Sequence, residues 1–404
     1  MSALPDCGVR VVMVVPGGVD QPGSDRVIPF IHDLIKRLAA HNTVTIIAIG
    51  HNPEPGEWTL YGCEVFNVPI GNHSRTDVVR AIRAAVRIAG RGGRANRPDV
   101  VHGLWAGVTG LAAAVIGRRF RVPSMVTLCG GELAAIPAIN YGGGLTRGGR
   151  MLARTALRLP TATTAATDWM RAHAVAVGAR IDELIPLGAD RERYRIADAA
   201  DANPPVADAH MVQVASLNAV KDQYLALHAF ALVLAGRPDA TLTLAGVDTM
   251  HGKHAALAQS LGIAHAVRFA GFVQPDELCA LYQSAAIHLN TSWHDAGPLA
   301  VVEAALCGVP TVGTRVGHVS DLASLPEPAA VAVAHEAEAV AAGVLRLLND
   351  PTERATIAHR AHAWASLHDA DATATAFEAL YRKLAARSSR ASAAANGESP
   401  RRNT

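Results

Sequence analysis

Short apolar runs bounded by Gly, Pro and Asp recur along the first half of the chain, at residues 9–15, 43–49, 65–68, 100–103 and 124–128. Runs this short, rich in Val and Ile and apolar on both faces, predict strands buried inside a parallel sheet. Between them the apolar positions recur at helical spacing, over 28–40 and 77–91 for example, which predicts amphipathic helices. Strand and helix in alternation imply a parallel sheet with helices on both faces. A second series of strands is predicted at 211–214, 241–245, 267–269, 287–290 and 311–313, and helices at 334–348, 352–365 and 371–386 close the chain. Residues 197–205, rich in Ala, Asp and Pro, read as a linker. The expected organisation is an α/β chain of two Rossmann-like, doubly wound domains (1–196 and 207–350) facing across a cleft, closing helices over 351–387, and a disordered tail over 388–404. Ligands of such sheets sit beyond the carboxyl ends of the strands, so the loops there are the place to search for chemistry.

Composition narrows the class. Half the residues are apolar and 18% are charged, which is globular rather than disordered. The five cysteines form no CxxC pair, so reduced thiols in a cytoplasmic protein are the expectation. The N-terminal apolar run ends at Pro16 and reads as a strand, not a signal peptide, and no stretch has the length of a spanning helix. The net charge of +2 conceals an asymmetry: residues 1–200 carry +7 and residues 201–404 carry −5. Arg80, Arg83, Arg87, Arg91 and Arg94 fall on one face of the helix predicted near 77–94. Such a stripe is either a solvated face or a dock for an anionic lipid surface or a phosphorylated acceptor. Nucleic acid is disfavoured, because no aromatic stacking platform accompanies the arginines.

The most informative stretch is 287–316, IHLNTSWHDAGPLAVVEAALCGVPTVGTRV. A strand ends near Asn290, a polar loop runs to Gly297, and a helix opens at Pro298–Leu299 and stops at Gly308 before Pro310. The helix start presents unpaired amides, a ready site for a diphosphate. Asp295 in the loop and Glu303 on the second turn are carboxylates suited to hydroxyl recognition.

This stretch resembles the signature of the group 1 glycosyltransferases, family 4 of the GT-B fold: an acid, seven residues, then a Glu inside EA-x-A-x-G-x-P. Asp295, Glu303, Ala304, Cys307, Gly308 and Pro310 match it, with Asp in place of the usual first Glu. The loop from Pro16 through Gly17, Gly18 and Asp20 to Arg26 resembles the family's glycine-rich first loop, which approaches donor phosphate and acceptor. Ser216 to Asp222 resembles its G-R-L-x(n)-K-G segment. Lys221 matches the diphosphate Lys, while Ser216 stands where an Arg is expected. Gly246, and Phe272 with Val273, fall at two further strand-end loops, the second near the nucleotide base. His102 lies in a stretch similar to D-x-V-H-x-H, and Cys129 and Glu132 in one similar to T-x-H-G-x-D, with Cys129 replacing the His. Residues 185–190 resemble the turn that ends the first domain.

The resemblance implies a retaining, metal-independent transfer from a UDP-, GDP- or ADP-linked sugar to an acceptor hydroxyl, with no cofactor. The acceptor would be a carbohydrate, a lipid-linked molecule or a small molecule. Lys221 and the Pro298–Leu299 helix end would steady the departing diphosphate, Glu303 the ribose and Asp295 the donor sugar. Gly17, Gly18, Ser216, Gly246, Phe272, Val273 and Gly297 would complete the donor site, and Arg26, His102, Cys129 and Glu132 the acceptor side. The implied place is the cytoplasm, with peripheral contact at an anionic inner membrane as an option. A GT-B sugar-nucleotide epimerase and a non-catalytic GT-B subunit remain as rivals. A dehydrogenase is disfavoured, because the first loop is not GxGxxG. Two patterns are set aside as metal sites: Asp369-Ala370-Asp371 stands where Asp caps a helix, and His251 with His254 has no third ligand nearby.

Overall fold

A computed structural model gives the structure of the chain and describes residues 8–22, 24, 26–71, 74–93, 97–197 and 208–395. Two sheets form, each wound with helices on both faces. The first domain contains β1 (Arg10–Val15), α1 (Pro29–Ala39), β2 (Thr43–Ile49), β3 (Gly56–Leu60), β4 (Cys63–Val68), α2 (Arg75–Ala89), β5 (Val100–Leu104) and α3 (Val108–Phe120). It continues through β6 (Ser124–Leu128), α4 (Arg147–Arg158), β7 (Ala162–Ala165), α5 (Asp168–Ala176) and β8 (Glu183–Leu184). Its eight strands run in the order β3-β4-β2-β1-β5-β6-β7-β8, parallel except for the β3–β4 hairpin.

The second domain begins with β9 (His210–Val214), α6 (Gln223–Gly236), β10 (Thr241–Ala245), α7 (Lys253–Ser260), β11 (Val267–Gly271), α8 (Pro275–Gln283) and β12 (Ile287–Asn290). It proceeds through α9 (Leu299–Leu306), β13 (Thr311–Thr314), α10 (Gly317–Ala323), β14 (Val331–Val333), α11 (Ala337–Asn349) and α12 (Pro351–Leu367). Its six strands, in the order β11-β10-β9-β12-β13-β14, are all parallel. The apolar runs become central strands because both faces are covered: Met13, Val14 and Val15 are wholly buried under helices. Helix starts follow the capping rule, with Ser74, Thr167 and Asp222 each accepting a hydrogen bond from an amide of the first turn.

The last helix, α13 (Ala370–Ala395), returns to the first domain. Phe377, Leu380, Tyr381 and Leu384 join the core built by β1, α1 and β2. The chain therefore crosses twice between domains. The helix also runs past residue 388, where the sequence reading places the start of a disordered tail, and residues 396–404 lie outside the described residues. Residues 198–205 of the expected linker lie outside them as well. No helix among the described residues is long and apolar enough to cross a membrane.

Candidate active site

The carboxyl ends of both sheets face one another, and the loops there meet. In the second domain, Lys221 precedes α6 and Asp295 precedes α9. The chain between Asn290 and Leu299 folds back so that the Lys221 ammonium and the Asp295 carboxylate form an ion pair. The backbone is fixed on both sides of this pair. Asn218 Oδ1 accepts from the Lys221 amide at 3.1 Å, and Thr291 Oγ1 donates to the Lys221 carbonyl at 3.0 Å. Asp222 sits in the left-handed region at φ 49° and caps α6. Pro298 caps α9 without a side-chain hydrogen bond, so the first amides of that helix open toward the loop.

The strand-end glycines are needed for close approach. At Gly246 a Cβ would stand 2.0 Å from the Ala215 carbonyl oxygen, so the loops after β9 and β10 could not meet. Gly297 lies where a Cβ would meet Ala166 of the first domain at 2.9 Å. Gly17 and Gly18 both have positive φ and are buried under Ile28 and His51. Ser216 is exposed and supplies no cation, and Phe272 is also exposed, with Val273 half-buried beside it.

Glu303 is held by other side chains of the protein. It is 4% exposed, and Oε2 accepts a hydrogen bond from the Tyr282 hydroxyl at 2.7 Å, with Tyr194 bonded to the same carboxyl. Burial pushes its pKa up to about 7. Its partners are therefore these two phenols, not Lys221 or Asp295. Beneath it, Cys279 on α8 and Cys307 at the end of α9 bring their sulfurs within 3.8 Å.

On the first-domain side the expected acceptor residues each have partners within the protein. His102 stands on β5. It is fully buried, with Nδ1 bonded to Tyr381 Oη at 2.7 Å and Nε2 to Thr127 Oγ1 at 2.7 Å. Thr127 in turn bonds Thr164 Oγ1 at 2.7 Å, so the imidazole heads a buried polar chain that ties α13 to the sheet. Burial drives its pKa down to about 3, which keeps it neutral. Arg26 is held by Asp20 Oδ2 of its own loop at 2.6 Å and by Asn52 Oδ1, beyond β2, at 2.8 Å. Glu132 turns its carboxylate onto backbone amides: Oε1 accepts from Ala106 at 3.0 Å and Oε2 from Gly130 at 2.8 Å. It shapes the loops after β5 and β6 and has little capacity left for a ligand. Cys129 stands beside it, its thiol kept protonated by burial.

Residues the sequence reading passed over bring the domains together. His294, next to Asp295, reaches across the cleft to the Gly130 carbonyl at 3.1 Å and packs on the Trp169 ring, centroids 5.0 Å apart. Thr167 Oγ1 donates to the Ala296 carbonyl at 2.7 Å. Asp321 of α10 accepts from the Asp168 and Trp169 amides at 2.7 and 3.0 Å, capping a helix of the other domain. The position of His294 beside the matched acid was the available signal; Asp321 had none. Asp369 caps α13 through the Ala372 amide, Asp371 pairs with Arg37, and His254 is buried against Tyr224. Among the described residues no group of three His, Cys, Asp or Glu is placed to hold a metal.

Below this junction, in the first domain, lies a cavity of about 480 Å³, lined by the ends of β2, β5 and β6 and by α4. Trp105 at its wall holds a left-handed backbone at φ 66°, unusual for a bulky residue.

Comparison with known proteins accords with this geometry. The pattern described as glycosyl transferases group 1 matches residues 195–364, and that described as glycosyl transferase 4-like domain matches residues 1–188. A D-inositol 3-phosphate glycosyltransferase of Acidothermus cellulolyticus is 28% identical over 306 residues, covering 70% of this chain and 67% of the relative. One from Rhodococcus jostii is 29% identical over 215 residues, and there the match spans about half of each chain, 50% and 47%. Sucrose-phosphate synthase from Thermosynechococcus elongatus superposes with a TM-score of 0.76 at 18% identity, covering 94% of this chain and all of that one. Anabaena HepE, solved in complex with UDP and glucose, superposes at 0.71 and 18% identity, over 93% of this chain and all of that one. With two doubly wound domains closed by a returning helix, and with both halves matched in sequence, the chain belongs to the group 1 glycosyltransferases of the GT-B fold.

Proposed function

We propose that the protein transfers a glycosyl group from a nucleoside-diphosphate sugar to an acceptor hydroxyl with retention of configuration. The observation that carries this reading is the Lys221–Asp295 ion pair at the open start of α9. A cation and unpaired amides converge where a diphosphate leaving group would gather charge, and preorganised donors of this kind stabilise a developing anion without reorganising. Asp295 holds Lys221 in place until a donor diphosphate takes over the ammonium. The carboxylate is then released to accept hydrogen bonds from donor-sugar hydroxyls. Phe272 and Val273, beyond β11, offer an exposed apolar edge to the base. Anabaena HepE, a structural neighbour of this chain, was solved with UDP-glucose, which supports a uridine-type donor here.

Glu303 already accepts from two phenols, so one of its tasks is to hold α8 against α9. The proposed reaction uses no metal and no covalent nucleophile among the residues named. The decisive experiment is calorimetric titration of UDP, GDP and ADP into wild type and Lys221→Ala. Wild type binds at least one of them, and the variant binds it about tenfold or more weakly, the loss of about 1.5–3 kcal/mol expected for a charge-assisted contact. Equal affinity in the two proteins would remove Lys221 from the diphosphate site.

A further inference from the structure

The first-domain cavity bears on the chemistry of the acceptor, and the inference rests on the transfer reading above. Its wall is built by Pro16, Ile49, Ile70, Trp105, Val108 and Leu152, with glycine backbone filling half of the remainder. Among the described lining residues no side chain is cationic. The carboxylate that reaches the lining, Glu132, is spent on the amides of Ala106, Cys129 and Gly130. Thr109 Oγ1 is spent on the Leu104 and Trp105 carbonyls, so the polar groups that remain are the Trp105 indole N–H and the Tyr141 hydroxyl, and the latter has no hydrogen-bond partner among the described residues. A Cβ on Gly131 would come within 2.5 Å of it, so a glycine there is what leaves the hydroxyl its place. Burial, and then the charges of Asp295 and Glu132, push the Tyr141 pKa up to about 12, so it stays a neutral donor. Its ring lies 6.2 Å from that of His294, which places it at the junction with the proposed donor site.

We propose that this cavity takes an uncharged acceptor, a hydroxyl carried on an apolar or aromatic ring system, with Tyr141 engaging the accepting oxygen, and that it excludes phosphorylated polyols. The volume, about 480 Å³, suits a ring-sized molecule. A phosphate placed here would be stripped of water against apolar walls and beside Glu132, with no cation among the described lining residues to repay the loss. The left-handed backbone of Trp105 points the same way. Strain of this kind persists where surrounding structure enforces it. Here it lays the indole over Gly130, where a Cβ would stand 2.6 Å from Nε1, and makes a flat aromatic wall. This sets the chain apart from its relatives, whose name specifies inositol 3-phosphate.

The test titrates 1-naphthol and inositol 3-phosphate into UDP-loaded protein by calorimetry, alongside Leu152→Arg. The expected result is saturable binding of 1-naphthol, weakened at least tenfold in Leu152→Arg, and no competition from inositol 3-phosphate at the same concentration. UDP affinity should be equal in the two proteins, which shows that the variant is folded. Inositol 3-phosphate binding as tightly as 1-naphthol, absence of saturable 1-naphthol binding, or 1-naphthol affinity unchanged in Leu152→Arg would each overturn the proposal. Failure of the transfer reading has a different signature: no nucleotide diphosphate binds the wild type at all.

Discussion

Replacing Glu303 by Gln offers a measurement of how strongly the fold strains its own carboxylate. In the folded protein burial raises the Glu303 pKa from the ordinary 4.5 to about 7. Folding therefore takes up a proton between those values. The stability associated with the protonated acid is fully present below about pH 4.5 and is lost as pH rises toward 7, because above it a buried charge must be accommodated. At about 1.4 kcal/mol per pH unit, the interval corresponds to about 3 kcal/mol. Gln cannot ionise and keeps an oxygen to accept from Tyr282, so the local hydrogen bond survives. Urea denaturation of both proteins at steps from pH 4.5 to 7.5 isolates the group, since every other titration is common to the two. The stability of Glu303→Gln relative to wild type should rise by about 3 kcal/mol across that range and then level off. Parallel curves, or a difference that falls with pH, would refute the reasoning. The same variant tests the ribose role, for which the expected outcome is weaker nucleotide binding by calorimetry at pH 7.

Three further outcomes are expected. Tyr381→Phe deletes the hydroxyl partner of His102 in a buried chain and should cost about 1–3 kcal/mol in urea denaturation; a loss below about 0.5 kcal/mol would show that α13 is held by packing alone. Cys279, whose pKa is lowered to about 6 by the hydrogen bond from Cys307, should be alkylated by iodoacetamide at pH 7 well before Cys63, which burial raises to about 11; mass mapping that finds Cys63 modified first would contradict this. Arg80, Arg83 and Arg87 are exposed along α2, Arg91 just beyond its end pairs with Glu57 at 2.6 Å, and Arg94 lies outside the described residues. The protein should therefore sediment with anionic vesicles at low salt and not at high salt, and a triple Arg80, Arg83, Arg87→Glu variant should sediment less; no pelleting at low salt would leave the stripe a solvated face.

The strands with continuous apolar runs were legible from the sequence. Residues 43–49, 124–128, 241–245 and 287–290 form strands over the very ranges read from the pattern, because a strand covered on both faces must be apolar throughout. The matched acids, Lys221 and the strand-end glycines were legible too, since spacing along one loop and helix is a local property. Strand β7, with Thr163 and Thr164, and the edge strands β3, β8 and β14 were not. They are short or polar, and they become strands only because a neighbour supplies the pairing. The same limit governed the site. Whether His102 meets a ligand depends on Tyr381, which is 279 positions away in sequence. Whether Glu303 is free depends on Tyr282 and Tyr194, which belong to other segments. Sequence order decided on which loop or element each candidate residue stands. Only the tertiary structure decided which were already occupied, because a hydrogen-bond partner is chosen by distance in space, and burial then sets the charge that each group can hold.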